Sequence, residues 1–588
     1  MHMENSNTLY INKGKYLDSV ISEIESGIIL AKKFPGIGAT TLEIDTPRDS
    51  ILVVPNVPVI QTKCKKHGNL LGIYEEVTVD KIARYIKTNE GNHKLMTTPE
   101  SFPKIKKACN LLGIDMYKRF FCLMDECHQL IKDVDYRGCI VLPMADFFQF
   151  DHKALVSATP LEFTDPRFTL QNFRTINVDS IDDYKLEIEA MHTNNILQSV
   201  KEYLSEKRTP VCIFINSVDI INALMKELNI LDKSAVFCAP KSQLKLRNEL
   251  HFKNTYNEWT ADRMKEYSFF TGRFFNAFDL ELDYQPNVLM ITDVNLAKYT
   301  MLDINTDCIQ IAGRFRNGLA SLAHIYNTNK NIAVKDRVQI EFELSAHEHA
   351  YNTIRTFYES ASNEYERRAF GEAMESLPFS KLLYQNGGKN YFAIDNRIHD
   401  ALTESGYNNS DSIEELYFSS YMFNACCTGN YYPTGNWDRL KITRSTQTVR
   451  TKRKQMIEIL KHFNTPYSEY ELDAITRMRD IDPLLIEAYE TIGIQRIEEL
   501  KFCQKKIQEA VILNKRMNNK TVQLIKNSFR IDCKYSCKKI EEELTRIYDL
   551  LHIHPDKVIR ADMIKNYFQV KPCKVKKDRG YILISELI

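Results

Sequence analysis

Two adjacent carboxylates, Asp125 and Glu126, end an apolar run in the sequence Phe121-Cys122-Leu123-Met124-Asp125-Glu126-Cys127-His128. The run is typical of a buried strand, which would deliver the acidic pair to its carboxyl end. An aspartate in that place can hold Mg²⁺ beside a triphosphate, and a neighbouring glutamate can orient a water molecule. An ordinary strand-to-loop junction has the same appearance, so the interpretation depends on whether a phosphate-binding loop and its partners occur elsewhere.

Residues 35–41 form a candidate phosphate loop with the sequence Pro-Gly-Ile-Gly-Ala-Thr-Thr. Gly36 and Gly38 would let backbone N–H groups approach phosphate oxygens. The hydroxyl of Thr40 would reach Mg²⁺, and Thr41 follows as the last residue of the candidate loop. The composition of the loop therefore suits a nucleotide, although an ordinary tight turn would also use two glycines.

Ala39 is the departure in this loop. Phosphate loops carry a lysine directly before the threonine, where its ammonium group bridges the β- and γ-phosphates. This chain has alanine there, so one charge-assisted contact is missing. Either Lys32 or Lys33, just upstream, could swing toward the phosphates, or both could face solvent at a strand end.

The elements that must position these residues alternate as in parallel α/β domains. A first series of apolar runs predicts strands at 27–33, 50–55, 94–97, 120–124 and 153–157. A second series predicts strands at 211–215, 235–238, 287–291, 308–311 and 323–326. We therefore predict a first domain over residues 1–175 and a second over 176–345, with a helical insertion at about 241–285.

The remainder of the chain changes character. Residues 346–530 have helical periodicity and predict an accessory region, for which Met456, Ile459, Leu460 and Phe463 give the clearest spacing. Residues 531–588 predict two amphipathic helices, then a turn at Asp578-Arg579-Gly580 and a strand. That order is the outline of a small winged-helix-like domain. The fold class is thus α/β, with two parallel-sheet domains followed by helices and a winged helix.

Composition and charge limit the possible surroundings of the chain. It has 588 residues, 44% of them hydrophobic and 26% charged, and no apolar stretch long enough to span a membrane. The N-terminus has no signal-peptide core, and the scattered cysteines suit a reducing cytoplasm. Residues 501–588 hold 20 Lys and Arg against 10 Asp and Glu, although the net charge of the chain is only +1. This asymmetry predicts a basic tail domain for a polyanion, or a solvated surface.

Further motifs follow the loop and the acidic pair in a fixed order. They are Thr97-Thr98-Pro99, Val156-Ser157-Ala158-Thr159-Pro160 and Gln310-Ile311-Ala312-Gly313-Arg314-Phe315-Arg316. Together, the order and spacing resemble the superfamily 2 helicases of DExH type, over roughly residues 25–330. The loop without lysine is also similar to that of uncharacterised helicase-like proteins of Bacteroidetes and their phages. The resemblance implies two RecA-like domains that use ATP and Mg²⁺.

The resemblance also implies roles in the first domain. Asp125 corresponds to the Mg²⁺ ligand, together with Thr40, and Glu126 to the residue that orients the attacking water. His128 would link the nucleotide site to the second domain. Ser157 and Thr159 would couple hydrolysis to domain movement.

In the second domain, the resemblance places Gln310 near the γ-phosphate and makes Arg314 an arginine finger. The family has a second arginine at the position of Asn317, so Arg316 is a candidate substitute one residue early. Asn56, Thr98 and Pro99 match loops that contact a nucleic-acid backbone. In the proposed wing, Lys574, Lys576, Lys577 and Arg579 would contact a duplex or an unpaired base.

These expectations lead to one leading hypothesis and two alternatives. The leading one is an ATP-dependent helicase or translocase in the cytoplasm of a bacterial or phage-infected cell. It would act on nucleic acid, with DNA favoured over RNA, in replication, repair or phage propagation, and its partners could include replication or phage proteins. Because Ala39 replaces the lysine, the first alternative is a hydrolysis-deficient pseudo-helicase that binds nucleic acid or a protein. The second is a structural component of a phage.

Overall fold

The chain divides into two compact units, Met1–Thr443 and Arg444–Ile588. The computed structural model describes residues 8–12, 14–182, 184–207, 210–276, 280–432, 448–461, 463, 467, 469–517, 520–551 and 558–587. No described helix has both the length and the apolar character that crossing a membrane requires.

The first sheet of the first unit has eight parallel strands. They are Thr8–Ile11 (β1), Ile28–Ala31 (β2), Ser50–Val53 (β3), Leu70–Ile73 (β4), Lys94–Thr97 (β5), Phe121–Asp125 (β6), His152–Ser157 (β7) and Arg174–Ser180 (β8). Their spatial order is β1-β8-β2-β7-β6-β3-β5-β4. Every residue of β3, β5 and β6 is buried, although β5 begins and ends with the polar Lys94 and Thr97. Because β2, β7 and β6 are neighbouring parallel strands, their carboxyl ends meet at one edge of the sheet.

The second sheet also has eight parallel strands. They are Leu186–Thr193 (β9), Val211–Phe214 (β10), Ser234–Phe237 (β11), Thr255–Tyr256 (β12), Tyr267–Phe270 (β13), Asn287–Thr292 (β14), Ser321–Tyr326 (β15) and Phe423–Asn430 (β16). Their order is β12-β11-β13-β10-β14-β15-β9-β16. The predicted insertion at 241–285 contributes β12 and β13 to this sheet as well as a helix, and its residues 277–279 lie outside the described residues.

One predicted strand of the second series, at residues 308–311, is wrong. Ile304–Cys308 forms a π-helix that continues into the α-helix Ile309–Ala312. Cys308, Ile309 and Ile311 are all buried, and a short apolar run that is buried on every side has no period that separates strand from helix. The helical turn places Gln310 and Arg314 one turn apart, on the same side.

Sixteen α-helices of the first unit lie within the described residues. In chain order they are Ala39–Asp45 (α1), Val57–Lys66 (α2), Val79–Thr88 (α3), Phe102–Leu111 (α4), Met116–Arg119 (α5), Gln129–Lys132 (α6), Met144–Phe147 (α7), Pro166–Leu170 (α8), Ile196–Glu206 (α9), Val218–Glu227 (α10), Pro240–Asn248 (α11), Ile309–Ala312 (α12), Arg337–Glu359 (α13), Glu364–Ser376 (α14), Tyr391–Gly406 (α15) and Ser410–Ser419 (α16). The last four separate β15 from β16 in sequence, so the predicted accessory region begins with helices and then returns a strand to the second sheet.

The second unit begins with helices and ends in a small sheet. Its described helices are Val449–Leu460 (α17), Glu469–Ile481 (α18), Pro483–Glu499 (α19), Gln504–Met517 (α20), Lys520–Ser528 (α21) and Cys537–Leu550 (α22). The strands Lys534–Ser536 (β17), Phe568–Val575 (β18) and Asp578–Glu586 (β19) pair antiparallel in the order β17-β19-β18. Ile540, Leu544 and Ile547 of α22 pack with Phe568 and Leu583 of the sheet.

The predicted turn at Asp578-Arg579-Gly580 is wrong. The chain reverses at Lys576-Lys577 instead, where Lys576 has a φ of 56°, and residues 578–580 already belong to β19. Glycine is needed at position 580 because the backbones of β19 and β17 lie very close there. A Cβ on Gly580 would lie 2.1 Å from the carbonyl oxygen of Tyr535. The predicted α/β fold class is confirmed: two eight-stranded parallel sheets are followed by helices and a small C-terminal antiparallel sheet.

Candidate active site

The candidate phosphate loop connects β2 to α1, as the sequence predicts. Gly36 and Gly38 have φ angles of 84° and 87°, in the left-handed region that side chains other than glycine rarely adopt. Gly38 caps α1, whose first residue is Ala39. A Cβ on Gly36 would lie 1.7 Å from Nη1 of Arg316, so the absence of a side chain is what allows that arginine to contact the loop.

Thr40 and Asp125 lie in direct contact. The Thr40 hydroxyl donates to Oδ2 of Asp125 at 2.5 Å, and the other oxygen of this carboxylate accepts from the Glu126 amide at 2.9 Å. Asp125 ends β6 and is only 8% exposed. A hydroxyl and a carboxylate side by side are hard oxygen donors of the kind that Mg²⁺ prefers, so these two residues fit that ion. The neighbouring Thr41 accepts a hydrogen bond from Lys63 at 2.7 Å.

Glu126 follows the strand in a strained conformation, with a φ of 51°. Its carboxylate accepts from Nζ of Lys32 at 3.1 Å and from Nε2 of Gln310 at 3.4 Å. Burial alone would raise the pKa of Glu126, but the charges of Lys32 and Arg314 oppose burial, and the pKa is lowered to about 2. Glu126 is therefore ionised at neutral pH and can accept a hydrogen bond from water.

His128 is fully buried at the start of α6. Its Nδ1 shares a hydrogen bond of 2.9 Å with the hydroxyl of Ser157, which also accepts from the Thr159 amide at 3.0 Å. Burial lowers the pKa of His128 to about 4, so its ring is neutral at neutral pH. The three residues join the carboxyl ends of β6 and β7 by uncharged contacts.

Gln310 lies in α12, between β14 and β15 of the second sheet, and its side chain reaches this site. It is fully buried, and its Nε2 donates to Oγ1 of Thr159 at 3.0 Å as well as to Glu126. Gly313, three residues later, faces the loop so closely that a Cβ on it would lie 2.3 Å from Cγ of Pro35. We call each sheet of the first unit, with its adjoining helices, a lobe. Both lobes thus contribute side chains to one cluster.

Arg314 and Arg316 have different surroundings. Arg314 is 3% exposed, and it donates to the side chain of Gln310 at 2.5 Å and to the Gln310 carbonyl at 2.8 Å. Arg316 is exposed, and its guanidinium lies against Gly36. Asn317 donates to the Leu282 carbonyl at 2.5 Å.

The residues predicted to contact nucleic acid lie in two places. Asn56 is half-buried at the start of α2, and Thr98 and Pro99 are buried between β5 and α4. Pro99 also lines a small pocket, open to solvent, together with Asp125 and Glu126. Lys574, Lys576, Lys577 and Arg579 are all exposed on the β18–β19 hairpin of the second unit.

Sequence reasoning missed two contacts of the site. Lys132 in α6 donates to Asp307 at 2.6 Å, an ion pair between the two lobes. The hydroxyl of Tyr421, just before β16, donates to the Ala158 carbonyl at 3.2 Å. Neither has a local signal, because each depends on a residue more than a hundred positions away in the chain.

No family model and no curated protein matches the chain in sequence. Among solved structures, it is similar to S. cerevisiae Dbp5 bound to RNA and ADP BeF3, at 12% identity and a TM-score of 0.33, over 52% of this chain and 79% of that one. It is similar to the Mycobacterium smegmatis helicase Lhr bound to ssDNA and AMP-PNP, at 12% identity and a TM-score of 0.32, over 54% and 44%. It is also similar to the ATP-dependent Type ISP restriction-modification enzyme LlaBIII bound to DNA, at 10% identity and a TM-score of 0.37, over 91% and 39%. Each likeness is coarse, and the chemistry of the site rests on its own residues.

Proposed function

We propose that this chain is an ATP-dependent nucleic-acid helicase or translocase of the superfamily 2 type, with a phosphate loop that lacks its lysine. The observation that carries the proposal is the hydrogen bond between Gln310 of the second lobe and Glu126 of the first. A hydrolytic residue that is held from both lobes makes hydrolysis depend on their relative position. That dependence is the basis on which a two-lobed motor converts ATP into movement.

In the proposed reaction, ATP binds between the lobes against Gly36, Gly38 and Thr40. Thr40 and Asp125 would hold Mg²⁺, whose charge shields the phosphate oxygens when it is bound. Glu126 orients the attacking water in line with the γ-phosphate. Gln310 contacts this end of the site, and its own position is fixed by Arg314.

ATP hydrolysis would be coupled to nucleic-acid binding through residues at the carboxyl ends of strands in the first sheet. Ser157 and Thr159 connect His128 and Gln310, so a change at the γ-phosphate alters contacts between lobes. Asn56, Thr98 and Pro99 would contact the backbone of a bound strand. The basic hairpin of the winged-helix-like domain would hold flanking duplex, with DNA favoured over RNA, in replication, repair or phage propagation.

Glu126→Gln is the decisive variant for this function. Replacing the carboxylate by an amide should lower the rate of ATP hydrolysis by about 10²-fold or more, because the water loses its acceptor, while nucleotide binding persists. The measurement is steady-state ATP turnover with and without single-stranded DNA. Glu90→Gln, an exposed glutamate of the same lobe, is the control and should behave as wild type. A turnover rate that Glu126→Gln leaves unchanged would contradict the role of Glu126.

A hydrolysis-deficient pseudo-helicase is the second candidate. Ala39 favours it, and so does the ion pairing of both site carboxylates with Lys32. In that case the protein would bind nucleic acid or a partner, such as a phage structural component, without turnover. Wild type that binds no nucleotide in calorimetry, or that gains binding only through Ala39→Lys, would favour this candidate.

A further inference from the structure

Lys32 and Lys33 are adjacent at the end of β2, but their ammonium groups have different partners. Lys33 donates to Oδ2 of Asp179 at 2.7 Å and lies 5.4 Å from the centre of the Tyr421 ring. Lys32 turns to the other side and lies among the carboxylates of the site. Both lysines follow β2, and Lys33 has a φ of 49°, so the backbone leaves the extended conformation there. The structure thus distinguishes two lysines that are equivalent in the sequence.

The ammonium of Lys32 is buried between the two acidic residues. Its Nζ lies 3.1 Å from Oε1 of Glu126 and 3.5 Å from Oδ1 of Asp125, and the residue is only 5% exposed. The two carboxylates are counter-charges for this ammonium, so Lys32 lies in the site as a paired cation.

Asp125 connects this charge to the phosphate loop. Its Oδ2 accepts from the Thr40 hydroxyl and its Oδ1 faces Lys32, so one carboxylate lies between the hydroxyl and the ammonium. The position after Gly38, where the loop would carry its own lysine, is Ala39. A cation thus lies beside the metal-binding pair although the loop itself supplies none.

We infer that Lys32 is the phosphate-binding cation of this site and replaces the lysine that Ala39 has displaced. The inference rests on the proposed function, because it requires the phosphates of a nucleotide to enter between the loop and Asp125. Lys32 would exchange a carboxylate oxygen for a phosphate oxygen by rotating its flexible four-carbon stem. Arg314 and Arg316 belong to the second lobe, so Lys32 is a cation that the first lobe can offer before the lobes close.

The test compares equilibrium binding of a fluorescent ADP with Mg²⁺ across matched full-length variants. Lys32→Met keeps the stem and removes the charge, and should weaken ADP binding by about 10- to 100-fold through loss of a charge-assisted hydrogen bond. Lys33→Met is the neighbouring control and should change affinity by less than about fivefold. The double variant Lys32→Met with Ala39→Lys moves the charge to the usual position and should recover most of the affinity.

Each outcome separates this inference from the proposed function. A Lys32→Met protein that keeps wild-type affinity for ADP would overturn the inference, while loss of ATP turnover in Glu126→Gln would leave the proposed function standing. If wild type binds no ADP, both are overturned. Where Lys32→Met also lowers the melting temperature, the double variant decides: recovered affinity supports the role of Lys32, and continued loss overturns it.

Discussion

Arg314 and Arg316 illustrate how two similar residues can take different roles within one turn of chain. Arg314 is buried and directs its guanidinium onto the side chain and carbonyl of Gln310. That contact sets the orientation of the glutamine that reaches Glu126. Arg316 has no comparable burial and lies on Gly36 of the phosphate loop. From these contacts we propose Arg316 as the residue that would contact phosphate and Arg314 as the residue that positions Gln310.

Arg316→Gln should lower ATP turnover by about 10²- to 10³-fold, because one cationic donor to the transferring phosphoryl group is lost. The melting temperature should stay at its wild-type value, since the side chain is exposed. Steady-state hydrolysis and thermal unfolding give the two readouts. Arg368→Gln, on the exposed face of α14, is the control. Full turnover in Arg316→Gln, together with loss of turnover in a stably folded Arg314→Gln, would assign the finger to Arg314 instead.

The sequence predicts the types of residue in the site better than their contacts. Asp125 and Thr40 occupy the relation that their motifs imply, because the strand and loop that carry them have strong local signals. The choice between Lys32 and Lys33 has no such signal, since both directly follow the same strand. Only the direction of each side chain separates them, and the left-handed backbone at Lys33 is not indicated by its residue type.

At the scale of elements, hydrogen bonds to one buried carboxylate hold α1 against its neighbours. Glu43 of this helix is fully buried and accepts from Arg48 at 2.5 and 2.9 Å and from Ser50 at 2.5 Å. Nζ of Lys94, in β5, donates to the Glu43 carbonyl at 2.7 Å. Burial lowers the pKa of Lys94 to about 8, although the charge of Glu43 opposes this shift. The helix that presents Thr40 is therefore attached to two strands by one polar cluster.

Glu43→Ala should lower the free energy of unfolding by about 3–5 kcal/mol, because it removes the anion beside the buried Lys94 and the half-buried Arg48. Chemical denaturation of the full chain, followed by circular dichroism, measures the change. Glu23→Ala is a matched control, since Glu23 pairs with the same Arg48 at 3.6 Å but is 58% exposed, and should cost less than about 1 kcal/mol. Equal losses in the two variants would contradict a special role for the buried carboxylate.

Among the strands, the buried central ones are indicated by their sequence and the edge strand β16 is not. The central strands β3, β6 and β10 are buried along their whole length, and their apolar runs predict them correctly. β16 alternates weakly and is mostly exposed, as an edge strand can be, so its sequence Phe-Asn-Ala-Cys-Cys-Thr-Gly-Asn does not indicate a sheet. Its pairing with β9 joins residues that the eight helices α9 to α16 separate in the chain. Such long-range pairing depends on tertiary packing and not on local propensity.

At the scale of the whole molecule, charge is distributed unevenly. The last 88 positions, 501–588, hold 20 basic and 10 acidic residues, whereas the chain as a whole has a net charge of +1. In the second unit, the β18–β19 hairpin concentrates four exposed cations around the turn at Lys576-Lys577. The nearby Tyr581 ring is partly exposed and lies 5.3 Å from the ammonium of Lys565. An exposed basic hairpin beside an aromatic ring suits a phosphate backbone, and it offers contact without base-specific recognition.

Replacing Lys576 and Lys577 together by alanine should weaken DNA binding of the full chain and reduce its salt dependence. Each lost phosphate contact lowers the slope of log K against log salt by about 0.9, so the double variant should lose about two units of slope. Fluorescence anisotropy over a series of salt concentrations measures both quantities.

A control with equal loss of charge is Lys118→Ala with Lys233→Ala, two exposed lysines of the first unit that should leave the slope unchanged. Because the hairpin is remote in sequence from the carboxylates, basal ATP turnover without DNA should not change in either protein. An unchanged slope in the hairpin variant would assign DNA binding to other parts of the molecule and leave the hairpin as a protein-interaction surface.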